Sequence, residues 1–141
     1  MEFISNSSLE TEEFASKLVA RLEGGILALS GDLGAGKTTF VKGLAKGLGI
    51  TKNITSPTFV ILKSYKTNGR GGIRHLVHLD CYRMEDKSDA EGIGLPEYFK
   101  QKGTLVLIEW PEKIESILPR TTKYINFEYL EENSRKIRAD F

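Results

Sequence analysis

Eight consecutive residues, Gly31-Asp32-Leu33-Gly34-Ala35-Gly36-Lys37-Thr38, have the types and the spacing of a phosphate cradle. Glycines at these intervals let successive backbone N–H groups turn inward around a phosphate with no side chain in the way. A helix starting near Lys37 would add the positive end of its dipole. Lys37 would reach the β- and γ-phosphates of a nucleoside triphosphate, and Thr38 would place its hydroxyl on Mg²⁺. Thr39 continues the run into that helix. The competing reading is a glycine-rich turn with an incidental Lys-Thr. The flanks favour the cradle, with a short apolar run before it and an amphipathic stretch after it.

A triphosphate site of this kind needs an acid at the end of a neighbouring strand to hold Mg²⁺ and its waters. Two runs supply one. Leu105-Val106-Leu107-Ile108 ends in Glu109, where Asp is the commoner acid, and His78-Leu79 ends in Asp80. Either carboxylate could instead be a surface group or a helix cap.

Three other groups attract a chemical reading. His75, His78 and Cys81 contain zinc-ligand types, but strand alternation puts 75, 77, 79 and 81 on one face and 78 and 80 on the other. A structural histidine is the simpler expectation. Gly69-Arg70-Gly71-Gly72 looks like an RNA-binding unit, yet a single copy between two β-rich runs is better read as a turn. Trp110 follows Glu109 and precedes Pro111, so the chain must leave the strand there. Its ring is either a packing anchor or an exposed contact.

The elements that must carry these groups can be read from apolar spacing. Phe14, Leu18 and Leu22 form a helical stripe, with Ser7-Ser8-Leu9-Glu10 as a capping box and Thr11 as a second cap candidate. Gly24-Gly25 ends that helix, and Ile26 to Ser30 reads as a buried strand. A helix to about Leu48 would bury Phe40, Val41, Leu44, Ala45 and Leu48. Thr58–Tyr65 and Ile73–Leu79 read as an antiparallel hairpin. Residues 88–101 suggest one or two short helices broken at Gly94 and Pro96, and Ile114 to Leu118 another stopped by Pro119. Lys123–Tyr129 and Arg135–Phe141 read as a final antiparallel pair.

With 141 residues the chain fits a single α/β domain spanning 1–141. Its 40% hydrophobic and 28% charged content is that of a folded soluble protein. One cysteine allows no disulfide within the chain. No apolar stretch approaches the roughly 20 residues needed to cross a bilayer. The N-terminus lacks a basic region followed by an apolar run, so no signal peptide is expected and a cytoplasmic location is the default. The net charge of +1 excludes a general nucleic-acid coat, but it hides a segregation. Residues 33–79 hold eight basic side chains and no acid, which leaves −7 on the remainder. Such a block suits a phosphate-bearing ligand or an acidic partner, or it is several solvated lysine-rich faces.

In order, the chain carries Gly31 to Thr39, Ser56-Pro57-Thr58-Phe59, His78-Leu79-Asp80-Cys81-Tyr82-Arg83 and Glu109-Trp110-Pro111-Glu112. From about Thr11 to Leu118 it resembles the TsaE (YjeE) family, the small bacterial ATPases of tRNA threonylcarbamoyladenosine synthesis. The resemblance implies a P-loop α/β fold in three layers with a mixed parallel and antiparallel sheet. It implies Mg²⁺-dependent ATP hydrolysis coupled to the complex that places a threonylcarbamoyl group on the adenosine beside the anticodon. Thr38 and Glu109 would hold Mg²⁺, directly or through water, and Asp80 would orient or deprotonate the attacking water. Ser56, Pro57, Thr58 and Phe59 would be a switch-like segment near the γ-phosphate. Ser8, Thr11 and Arg135 are candidates for adenine contacts. The implied partners are a threonylcarbamoyl-transferring subunit and its dimerising companion, of the TsaD and TsaB types, with tRNA met through the complex and no membrane. Trp110 is a candidate anchor for them.

The rivals are a small-molecule kinase and a non-catalytic nucleotide- or tRNA-binding subunit. A kinase needs an acceptor pocket and an arginine-bearing lid. The lid-sized stretch 84–103 contains no arginine. A guanine reader is disfavoured because Thr51-Lys52-Asn53-Ile54 lacks the required Asp and comes too early. Asp80 and Glu109 favour hydrolysis, since a pure binder needs no water-positioning acid. The nearest arginine to either acid along the chain is Arg83. Alternation points it away from the face of Asp80. The isolated chain is therefore expected to hydrolyse ATP slowly.

Overall fold

The computed structural model describes residues 1–32, 34–52, 54 and 62–141, so Leu33 and the whole of Ser56-Pro57-Thr58-Phe59 lie outside the described residues. In chain order the elements are β1 (Glu2–Ser5), α1 (Ser8–Leu18), β2 (Gly25–Gly31), α2 (Lys37–Gly47), β3 (Leu62–Lys66), β4 (His75–Asp80), α3 (Lys87–Gly92), α4 (Leu95–Phe99), β5 (Thr104–Glu109), β6 (Lys123–Glu131) and β7 (Ser134–Ala139). Short 3-10 turns lie at Val19–Arg21, Arg70–Gly72 and Pro111–Ile117. The Arg-Gly-Gly unit is therefore a turn, as expected, and it joins β3 to β4.

Among the described residues the strands form one sheet in the order β1-β7-β6-β2-β5-β4-β3. Strand β2, which leads into the loop at Gly31, is central and parallel to both β5 and β6, and β4 runs parallel to β5. The edges are antiparallel, with β3 on β4 at one side and β7 and β1 beyond β6 at the other. Central strands covered on both faces must be apolar throughout, which is why β5 is buried at every position. Alternate residues feed two cores. Leu27, Leu29, Leu105, Leu107 and Phe127 pack with α1 and α2, while Ile26, Val77, Leu79, Val106 and Ile108 pack with Ala90, Leu95 and Ile114. The result is the three-layer α/β arrangement with a mixed sheet.

Local chemistry explains the element boundaries. Ser7 caps α1 by accepting from the Glu10 N–H at 3.0 Å, and Glu10 returns a carboxylate oxygen to the Asn6 N–H at 2.7 Å. The box is thus closed one residue earlier than its usual partner. Gly94 adopts φ +75 and caps α4, and Pro96 sits in the first turn of that helix. Proline is tolerated there because its missing N–H has no intrahelical acceptor to lose. Pro96 therefore starts a helix rather than breaking one. The stretch 84–103, lid-sized in the sequence, folds onto the sheet through buried Met84, Ala90 and Leu95.

Helices α1 and α2 approach backbone to backbone. A Cβ added at Gly43 would lie 2.3 Å from the Glu12 carbonyl oxygen and 2.6 Å from its Cα, and one at Gly47 would lie 2.8 Å from the Ser16 oxygen. Glycine inside a helix costs about 1 kcal/mol in propensity; here it permits a contact no side chain allows, and that contact fixes where α2 begins. Gly43→Ala should therefore lower unfolding stability by about 1–3 kcal/mol despite alanine's better propensity. Urea denaturation checks this, and an unchanged midpoint would show that the helices separate at no cost.

Candidate functional site

Strand β2 delivers the loop from Gly31. This residue has φ +135, and a Cβ on it would lie 2.3 Å from the Phe127 carbonyl oxygen of β6. Only glycine lets the chain turn away while still pressed against β6. Gly36, at φ +99, precedes α2 with no side-chain cap. The first N–H groups of α2 are thus free of intrahelical and cap acceptors. Asp32 and Gly34 are exposed, Ala35 is buried, and Thr38 and Thr39 are half-buried.

The two acids come from the adjacent parallel strands. Glu109 sits level with Leu29 of β2 on one side and with Asp80 of β4 on the other. Both carboxylates therefore stand at the carboxyl ends of strands, where open α/β sheets bind ligands. Asp80 accepts from the Tyr82 N–H at 2.9 Å, which turns the chain after β4. Arg83 lies beyond that turn, exposed and off the strand, so strand alternation does not set its direction. Glu109 is buried, and its Oε2 lies 2.6 Å from His78 Nε2.

A cleft of about 340 Å³ gathers these parts, with Ser8, Gly34, Gly36, Lys37, Thr38, Thr39, Asp80, Glu109, Trp110 and Arg135 on its walls. A larger opening of about 630 Å³ beside β3 carries Lys52, Lys66 and His75 but no carboxylate, so it cannot position a metal-bound phosphate. Inside the smaller cleft, Lys37 donates to the Gly31 carbonyl at 2.5 Å and lies 3.7 Å above the Trp110 ring. Burial pushes its ammonium below the usual lysine value, opposed by the charges of Glu109, Glu112, Asp80 and Asp32. Trp110 has φ +59, a conformation that a residue before proline adopts at a cost. That turn places its ring beside Tyr82, with centroids 5.0 Å apart, and over the loop lysine. Trp110 is thus neither a pure packing anchor nor a free surface ring.

Arg135 enters from β7. A Cβ at Gly36 would lie 2.8 Å from its Cδ and 2.9 Å from its Nη1, and Nη1 donates to Thr11 Oγ1 at 3.5 Å. Thr11 itself is buried and bonded to the Ser5 hydroxyl at 2.7 Å, so it supports Arg135 and does not line the cleft. Of the adenine candidates, Ser8 and Arg135 reach the cleft and Thr11 stands behind it.

Thr38, Asp80 and Glu109 offer hard oxygen donors to one cleft, a donor set that fits Mg²⁺. Zinc chemistry finds no support. His75 is exposed, Cys81 is buried in the core under α3 and α4, and His78 faces Glu109. Among the described residues no three His, Cys, Asp or Glu side chains group to hold a metal. Burial and nearby Asp80, Glu112 and Glu109 push the Cys81 thiol up to about 12, which makes it inert as a nucleophile.

Sequence reasoning missed one member of this site, His78, and named another, Arg135, only through the family resemblance. His78 shares the strand face of Asp80, a signal present in the alternation but read as structural. Arg135 carries no local signal for phosphate, because it reaches Gly36 only through the pairing of β7 with β6.

Comparison with known proteins converges on one family. Residues 5–137 match the family model described as threonylcarbamoyl adenosine biosynthesis protein TsaE. A Bacillus subtilis (strain 168) protein named tRNA threonylcarbamoyladenosine biosynthesis protein TsaE is 48% identical over 114 residues, covering 81% of this chain and 68% of its own length. A Treponema pallidum protein of the same name is 42% identical over 139 residues, covering 97% and 98%. The crystal structure of Bacillus subtilis YdiB superposes with a TM-score of 0.80 at 37% identity, covering 99% of this chain and 83% of that one.

Proposed function

The chain belongs to the TsaE family, and we propose that it is the ATP-hydrolysing subunit of tRNA threonylcarbamoyladenosine synthesis. A role in that synthesis follows from the family; ATP hydrolysis is our reading of the cleft. The observation that supports it most is a single cleft holding an uncapped helix N-terminus, Lys37, Thr38 and two strand-end carboxylates. The loop from Gly31 to Thr39 would bind the triphosphate, with Lys37 moving from the Gly31 oxygen to the β- and γ-phosphates. Ser8 and Arg135 would contact the nucleotide from the α1 and β7 side. Thr38 and Glu109 would hold Mg²⁺, which when bound neutralises charge developing between the β- and γ-phosphates. Asp80 would orient the attacking water or accept its proton. Water adds to the γ-phosphorus, the bond to the bridging oxygen breaks, and ADP and phosphate leave.

A kinase fares worse, because the stretch that would supply its lid is packed on the opposite face of the sheet from α2. We propose that turnover depends on partners of the TsaD and TsaB types, met in part through Trp110. What supports this is the contact of Trp110 with Lys37, which places the ring at the mouth of the loop beside the ammonium that donates to Gly31. A trans-supplied arginine raises P-loop hydrolysis roughly 10³–10⁵-fold. No helix of the described residues is long and apolar enough to cross a membrane.

Phosphate release should be slow with the chain alone and should rise at least tenfold when the partner pair is added. Release that required a small-molecule acceptor would indicate a kinase, and none under any condition a binding subunit. A fast rate that partners leave unchanged, with Trp110→Ala altering only stability, would overturn the coupled reading.

A further inference from the structure

Glu109 differs from the commoner aspartate by one extra rotatable bond, so its carboxylate needs holding to face a cation consistently. One side chain does this. His78 Nε2 lies 2.6 Å from Glu109 Oε2, and both side chains are buried, at 0% and 4% exposure. The contact is diagonal across the sheet, since His78 pairs with Leu107 and Asp80 with Glu109. The second ring nitrogen, Nδ1, is buried with no hydrogen-bond partner among the described residues. A carboxylate oxygen can only accept, so the donor in this pair is the Nε2–H of His78.

We propose that His78 is the positioning residue for Glu109: its Nε2–H pins one carboxylate oxygen and leaves the other to serve Mg²⁺ in the cleft. This rests on the reading of Glu109 as a magnesium-holding acid. Carboxylates that ligate metals are themselves held by hydrogen bonds, and losing such an outer partner costs about 10–100-fold in metal affinity or activity. Asp80 shares the strand face of His78 but is tied to its own turn through Tyr82, so the two acids are held by different devices.

Calorimetric titration of ATP into the full chain at varied Mg²⁺ tests the proposal without measuring turnover. His78→Leu should raise the Mg²⁺ needed for half-maximal enhancement of ATP affinity about tenfold. His78→Gln, whose amide N–H reaches a similar position, should restore most of it. In a Glu109→Gln background, His78→Leu should add nothing. If Glu109→Gln itself leaves the Mg²⁺ dependence unchanged, the magnesium role of Glu109 fails and this inference with it. If Glu109→Gln shifts it and His78→Leu does not, His78 is structural and the proposal alone is overturned. Long-range ¹H–¹⁵N spectra of the unaltered protein decide the point even if the leucine variant misfolds. The chain has two histidines, and His75 is exposed, so assignment is direct. A buried ring carrying a proton on Nε2 supports the proposal, and one protonated on Nδ1 alone overturns it.

Discussion

Lys37→Ala should weaken ATP binding about 100-fold and bring hydrolysis to background, while leaving the fold intact. A charge-assisted hydrogen bond is worth roughly 1.5–3 kcal/mol, and the loss of contacts to two phosphates corresponds to about two powers of ten in affinity. The fold should survive because burial disfavours the Lys37 ammonium, whose hydrogen bond among the described residues goes to the Gly31 carbonyl. Its removal deletes a desolvated charge and breaks no ion pair among the described residues. Calorimetry with ATP and urea unfolding together make the test. Equal affinity in the variant would mean that the loop from Gly31 to Thr39 is not the phosphate site, whatever its spacing.

Asp80→Asn should do the opposite, sparing affinity and lowering turnover about 10²–10⁴-fold in the presence of partners. Asparagine keeps a side-chain oxygen for the Tyr82 N–H, so the turn after β4 stays capped. What it loses is the negative charge that aligns the attacking water or takes its proton. Single-turnover measurements with saturating ATP isolate that step. Parent-like turnover would reduce Asp80 to a turn cap.

The parts of this site written contiguously were legible. The loop from Gly31 to Thr39 could be read as a candidate phosphate cradle because its glycines, lysine and threonine stand side by side, as consecutive inward N–H groups would require. The acids were legible too, since a strand covered on both faces is an apolar run and its end marks the sheet edge. Strand β1 was not. Glu2–Ser5 is four residues with Ile4 exposed, too short to show a period. The contact of Arg135 with Gly36 depends on β7 pairing with β6, and that of His78 with Glu109 on the register of β4 against β5. Neither register is readable from one strand alone. Pro96 misled because proline ends helices from inside but opens them from the first turn.

The placement of Trp110 has a spectroscopic consequence. It is the chain's single tryptophan, and it lies against the ammonium that a bound triphosphate would take over. Indole emission from the whole molecule is emission from that ring, fed by the neighbouring Tyr82. Drawing Lys37 away changes the charge on the ring face, so filling of the loop should shift the emission with no label attached. Lys37→Ala gives the reference spectrum of a ring with no cation above it, and the empty protein gives the other extreme. Occupancy of the loop can then be read by light from a residue that belongs to neither the loop nor its helix.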